Sequence, residues 1–460
     1  MSEQKMIRGA RILLETLKRL GVTDIFGYPG GAVIPIYNEI YDFEGLNHYL
    51  ARHEQGAAHE ADGYARASGK CGVCLATSGP GATNLVTGIM TAHMDSIPLL
   101  AITGQVGSHL LGKDAFQESD IIGITMPVTK NNYLVKDIRE IASTVKEAYY
   151  LATTGRPGPV LVDITRDAQL AEISYEEFEA IFNEPVSLEG YDPNYIGHPK
   201  QIKKAIELLK EAKRPLIVAG HGVLLSDATE ELYKLATTCQ IPVTNTLLGL
   251  GSFPGEHQLS LGMLGMHGTV YANYATNEAD VVLALGIRFD DRIAGVPKEF
   301  CKEATIIHVD IDPAEIGKNK LIDVPIVGDL KHVLNEINHE LTSQTHEEWL
   351  ERIREWREEY PIRVRPHEGD SLLPQKVIHE IDNILKGNAI VVTDVGQHQM
   401  WTSQFITFSK PNTIITSGGA GTMGFGLPAA IGAQVAAPDK KVVLITGDGG
   451  LQMNSQELLL

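Results

Sequence analysis

Short apolar runs of four to eight residues alternate along the whole chain with stretches whose apolar positions recur every three or four residues. The first pattern reads as strands buried on both faces of a parallel sheet, and the second as helices packed over those faces. In a first block it predicts strands over 23–28, 46–52, 71–78, 99–103 and 160–165, with helices over 6–20 and 135–153. A polar, acidic stretch over 172–199 shows no clear strand and reads as a linker that is helical over 175–182. A second block predicts strands over 216–219, 243–246, 281–286, 306–311 and 325–328. After a charged, helix-rich connection over 347–368, a third block predicts a helix over 374–385 and strands over 389–395, 413–416 and 441–446. The expected fold class is α/β: three doubly wound parallel-sheet domains, near 1–170, 190–340 and 370–460, with the last incomplete.

Length agrees with several domains, since 460 residues exceed what one hydrophobic core serves. A formal net charge of −19 argues against nucleic acid or an anionic membrane as the main partner. It does not exclude a small anionic ligand, which backbone amides and a metal can bind locally. The sequence predicts neither a membrane span nor a signal peptide. Four cysteines do not make a disulfide framework, and Cys71 and Cys74, although spaced like half a zinc site, sit inside a strand pattern. Their reading is structural and the expected location is the cytoplasm.

Candidate chemistry gathers where predicted strands end. Glu54 stands at a strand-to-helix junction, ahead of a helix rich in Ala and Gly. Small residues allow close packing and surround a carboxyl with apolar atoms, so that it can share a proton with a ligand nitrogen. A carboxylate also simply suits a helix N-terminus, and local context leaves both readings open. Ser78-Gly79-Pro80-Gly81-Ala82-Thr83-Asn84 forms a second such junction, at the edge where α/β proteins bind ligands. It lacks the Lys-Ser/Thr ending of a P-loop. Val395-Gly396-Gln397-His398 and Ser417-Gly418-Gly419-Ala420-Gly421-Thr422-Met423 follow later strands; His398 alone reads more readily as a hydrogen-bonded structural histidine than as a catalytic one. Finally, Gly447-Asp448-Gly449-Gly450 ends a strand with a close-approach backbone and one hard oxygen ligand suited to Mg²⁺.

Taken in this order, the segments resemble the thiamine-diphosphate-dependent decarboxylase superfamily, and within it the acetolactate synthase catalytic-subunit family. Ala115-Phe116-Gln117-Glu118, Gly155-Arg156-Pro157-Gly158-Pro159, Met263-Leu264-Gly265-Met266-His267-Gly268 and Arg288-Phe289-Asp290-Asp291-Arg292 carry that closer resemblance. It implies a transferase that decarboxylates pyruvate and joins the two-carbon unit to pyruvate or 2-oxobutyrate, the first common step of branched-chain amino acid synthesis. It implies that Glu54 hydrogen-bonds the aminopyrimidine ring of thiamine diphosphate. Pro80, Asn84, Val395, Gly396, Gln397, His398, Gly421, Met423, Gly447, Asp448, Gly449 and Gly450 would surround the same cofactor, with Asp448 also binding Mg²⁺.

Further roles follow from the same resemblance. Gln117 would act with Glu54 in catalysis. Phe116, Arg166 (where many members carry Lys) and Arg292 would face substrate, Arg292 holding the carboxylate of the second oxo acid. FAD would be held by Arg156, Gly220, Gly222, Thr246, Leu264, Gly265, Met266, His267, Gly286, Arg288, Asp290, Asp310, Ile311 and Asp329. His221 departs from the smaller residue of several members. The family further implies a homodimer or tetramer with shared active sites and a possible regulatory small subunit. Members carry a second metal ligand, an Asn, and a closing segment beyond the position of Leu460, so the chain reads as truncated and of low activity alone. Pyruvate oxidase, glyoxylate carboligase and an inactive FAD-binding fragment are the competing readings. Glu54 argues against glyoxylate carboligase, which lacks that glutamate.

Overall fold

The computed structural model describes residues 5–364 and 372–460. The chain divides into two compact units, Met1–Tyr191 together with Ser417–Leu460, and Asp192–Thr416.

The first unit is built on a six-stranded sheet in the spatial order Asn47–Leu50, Asp24–Gly27, Gly72–Ala76, Leu99–Gln105, Pro159–Thr165, Asn131–Val135. All five pairings are parallel. The central strands are apolar on successive residues because both faces are covered. Val73, Leu75, Leu100 and Ile102 join one core, while Cys74, Ala76, Leu99 and Ala101 join the other. Chain order reverses between Asp24–Gly27 and Gly72–Ala76, which opens a crevice at their carboxyl ends. The four cysteines are buried and free, as the structural reading expected.

The same unit corrects two elements. The predicted 6–20 helix is a strand, Met6–Arg8, followed by a helix, Gly9–Arg19. Met6–Arg8 pairs antiparallel with Glu172–Ser174, a strand in the stretch expected to have none. Three-residue strands leave too little pattern to read, and Ile7 also fits the helical period that follows it. The edge strand Asn131–Val135 was also missed, because its outer residues are polar and partly exposed. The helix expected over 135–153 starts at Ile138, after the side chain of Asp137 caps the Arg139 N–H.

The second unit holds another all-parallel six-stranded sheet, ordered Ser260–Met263, Val243–Asn245, Pro215–Ala219, Val281–Leu285, Thr305–Asp310, Val324–Val327. Ser260–Met263 was not predicted, since a Gly interrupts its apolar run. Chain order reverses between Pro215–Ala219 and Val281–Leu285. The helix Glu347–Glu359 buries Trp349 and Trp356 on one face of this sheet. The part of the 347–368 expectation after 364 lies outside the described residues. A helix, Pro374–Leu385, and the parallel strands Ala389–Thr393 and Ile414–Ile415 complete the unit. Among the described residues no helix is long and apolar enough to cross a membrane.

Candidate active site

Glu54 is the first residue of the helix Glu54–Ser68, shortly after the strand Asn47–Leu50, and the residue is only 9% exposed. One oxygen accepts a hydrogen bond from the Asn84 side-chain amide at 3.0 Å. A Cβ on Gly81 would stand 3.1 Å from the other oxygen, so glycine there keeps the carboxyl's second face clear. The loop after Leu99–Gln105 reaches the same edge. Its Gln117 has φ +59°, and a Cβ on Gly79 would meet the Gln117 carbonyl oxygen at 2.8 Å. Gly79, itself at φ +61°, therefore lets this loop lie against the Ser78–Pro80 turn. Phe116 is 88% exposed at the loop tip. Arg166 is exposed where Pro159–Thr165 ends. Glu54, Pro80, Asn84, Phe116, Gln117 and Arg166 thus share the carboxyl edge of one sheet, whereas Arg156 lies at the opposite edge, bonded to Ser96 at 2.8 Å.

The Gly-Asp-Gly segment belongs to the same compact unit. Strand Lys441–Ile445 runs through Gly447 into the short helix Asp448–Met453, and Asp448 is exposed at its start. A Cβ on Gly449 would lie 3.1 Å from the Met423 methyl, so Met423 rests on this segment. Gly421 is exposed at φ +62° and Met423 is 41% exposed. Beyond Asn454, the Glu457 carboxylate accepts the Arg52 N–H at 2.8 Å and packs against Gly56. Glu457 and Glu60 face each other in the interior, where burial first and then mutual repulsion push the Glu60 pKa well up. Among the described residues no group of three acidic, His or Cys side chains forms a ready metal site.

A buried carboxylate at one strand end suits a ligand nitrogen, and an exposed thioether beside a Gly-rich strand end suits an apolar ring with an anionic tail. Val395, Gly396, Gln397 and His398 fall in the other unit, with Gln397 starting the helix Gln397–Phe405. Burial lowers the His398 pKa, against the opposing effect of Asp394.

In that second unit the remaining predicted residues sit where parallel strands end. At the chain reversal, Gly220 and Gly222 press on Gly286, whose carbonyl accepts the Gly222 N–H at 3.3 Å. Thr246 caps Gly249, and Asn273 clamps both backbone groups of Gly265. Leu264 is buried, while Met266 and His267 are exposed. Arg288 pairs with Asp290 at 3.5 Å, and Arg292 extends into solvent beside Met266. Asp310 accepts the Asp312 N–H just before Ile311, and Asp329 caps the helix Leu330–Glu340.

Three family descriptions match the chain. Residues 7–124 match the N-terminal TPP-binding domain of thiamine pyrophosphate enzymes, 202–337 their central domain and 394–459 their C-terminal TPP-binding domain. The chain is 52% identical to the "Probable acetolactate synthase large subunit" of Methanocaldococcus jannaschii, over 98% of this chain and 77% of that protein. It belongs to the acetolactate synthase large-subunit family. The large subunit of Cyanidium caldarium is 50% identical over 98% of this chain and 78% of its own length. That of Lactococcus lactis is 48% identical over 99% and 79%. Thiamine diphosphate is accordingly the cofactor of this family's two terminal domains.

Motif reading of this acetolactate synthase family member missed Asp95, Thr91, Arg66 and Asn454, which hold the Gly421–Met423 segment. Nothing in local spacing marks Asp95 or Thr91, because their partners in this segment lie more than 300 residues away.

Proposed function

We propose that this protein is an acetolactate-forming transferase. The observation that carries the reading is 50–52% identity to acetolactate synthase large subunits over 98% of the chain, joined to a buried Glu54 in the same compact unit as Gly447-Asp448-Gly449. Bound thiamine diphosphate supplies the electron sink that lets a 2-oxo acid lose CO₂ and pass on its remaining two carbons. Glu54 would hold the aminopyrimidine ring by a hydrogen bond and could share its proton, and the Asn84 amide, donating to one Glu54 oxygen, fixes the carboxyl's orientation. Glycine at 81 keeps the second carboxyl oxygen of Glu54 clear. Gly421 would offer its carbonyl and Met423 its thioether to the bound cofactor. Asp448 would supply a carboxylate oxygen to Mg²⁺.

Pyruvate and 2-oxobutyrate are the proposed substrates. Gln117 and Phe116 line their approach, and Arg292, with its planar guanidinium exposed, takes the carboxylate of the acceptor. FAD is the proposed second cofactor, at the carboxyl ends of the second unit's strands, where Gly220, Gly222 and Gly286 allow close approach. A homodimer or tetramer, a regulatory small subunit and a cytoplasmic location complete the reading.

Acetolactate formation from pyruvate, with thiamine diphosphate and Mg²⁺ added, tests it directly. Glu54→Gln is expected to abolish turnover while flavin absorbance stays with the purified protein. Near-wild-type turnover in that variant would remove Glu54 from the chemistry.

A further inference from the structure

The exposed Gly421 and Met423 lie between buried anchors. Asp95 ends the helix Val86–Asp95, and its side chain is fully buried. A carboxylate is disfavoured at the last turn of a helix, where the backbone carbonyls already concentrate negative potential. Its partners compensate. One oxygen accepts the Gly419 N–H at 2.7 Å; the other accepts the Gly418 N–H at 3.0 Å and the Arg66 guanidinium at 2.8 Å. Arg66 also binds Asp62, so this interior trio carries two carboxylates and one cation, and the two amides stabilise the excess negative charge.

Other contacts hold the rest of the segment. The Thr91 hydroxyl donates to the Thr87 carbonyl and meets the Thr422 hydroxyl at 2.7 Å. The Phe425 ring lies under the Arg66 guanidinium at 5.3 Å and edge-on to His59. The Asn454 amide donates to the Gly424 carbonyl at 2.7 Å. The segment from 417 to 425 is loop, so these side chains supply the order that a strand or helix would otherwise give.

We propose that Asp95 and Thr91 are positioning residues that set Gly421 and Met423 in place for the cofactor. The inference rests on the reading of those two residues as thiamine diphosphate contacts. Asp95 and Thr91 touch no reacting atom; they act through the loop they hold.

The test is thiamine diphosphate affinity, titrated in the presence of MgCl₂ and read by protein fluorescence, with the near-UV circular dichroism of the bound cofactor as a second readout. Loss of a hydrogen bond to a charged group corresponds to weakening by roughly tenfold or more, so Asp95→Asn is expected to lose at least that. Because Asp95→Asn also disturbs Arg66 and could fail to fold, Thr91 supplies the decisive pair. Thr91→Val keeps the shape and removes the hydroxyl; Thr91→Ser keeps the hydroxyl and removes the methyl. Positioning requires that Val binds about threefold or more weakly, with an altered dichroism, and that Ser binds like wild type. Equal affinity in Val and wild type, or weaker binding by Ser than by Val, overturns the proposal whatever Asp95→Asn does. A wild-type protein that binds no thiamine diphosphate overturns the functional reading, and this inference with it.

Discussion

Replacing Gly432 by Ala sets two effects of opposite sign against each other. Gly432 lies inside the helix Gly426–Ala436, where Ala is the better helix former by about 1 kcal/mol. Its Cβ, however, would stand 2.7 Å from the Glu60 carbonyl carbon and 2.9 Å from the Tyr64 nitrogen, and closer still to the Glu60 oxygen. Backbone atoms of a neighbouring helix cannot rotate away as a side-chain tip can. Because the Glu60 oxygen is the nearest atom, restoring ordinary contact near 3.5 Å needs a separation of roughly 1.5 Å between the two helices. Against rigid backbone the overpacking cost falls in the upper part of the usual range, about 2–3 kcal/mol, so the net effect is a destabilisation of about 1–2 kcal/mol. Gly63, facing Ala429 on the same seam, is expected to behave alike. Gly31→Ala, with nothing within 4 Å of its Cβ, is the matched control and should be near neutral. The measurement is the urea midpoint of each variant, with thiamine diphosphate affinity alongside, since the displaced helix begins at Glu54. A Gly432→Ala protein as stable as wild type or more so would show that propensity outweighs the contact and would refute the reasoning.

Two further outcomes are expected. His59 is fully buried with neither ring nitrogen hydrogen-bonded among the described residues, and burial, aided by Arg66, pushes its pKa down to about 3. It stays neutral in the fold but takes up a proton near pH 6.5 when unfolded, so its contribution is intact above that pH and is lost as pH falls towards 3. Between pH 7.5 and 5.5 the wild type should lose roughly 1 kcal/mol more than His59→Leu, and parallel losses in urea titrations would count against it. Glu118 accepts the N–H groups of Gly112, Lys113 and Ala115 and so shapes the loop that presents Phe116 and Gln117. Glu118→Ala should raise the pyruvate KM roughly tenfold with little change in melting temperature; an unchanged KM would show the loop holds its shape without the carboxylate.

Both sheets were legible because their central strands are buried on two faces. Gly72–Ala76 and Val281–Leu285 read as unbroken apolar runs for that reason. Strands with one inward residue, such as Met6–Arg8, were not legible, since a single buried Ile7 has no period. At the site, Glu54 and Gly447-Asp448-Gly449 stood out because their chemistry is local: a residue type at the end of a strand. Asp95 did not. Its partners Gly418 and Gly419 are 323 and 324 residues away, and no local pattern encodes a distant pair of amides.

The grouping of 417–460 with 1–191 also sets an order of events on the ribosome. Asp192–Thr416 is contiguous and can close its core as it emerges, but the seam of the helix Glu54–Ser68 receives its partner only after residue 426 is made. At bacterial-type synthesis rates that delay is roughly 20–70 s. During it, a helix lined with Ala and Gly, bearing a buried-type His59 and Glu60, stands uncovered. Chaperone binding by nascent chains is therefore expected to begin when this helix leaves the tunnel and to end when Gly426–Ala436 follows.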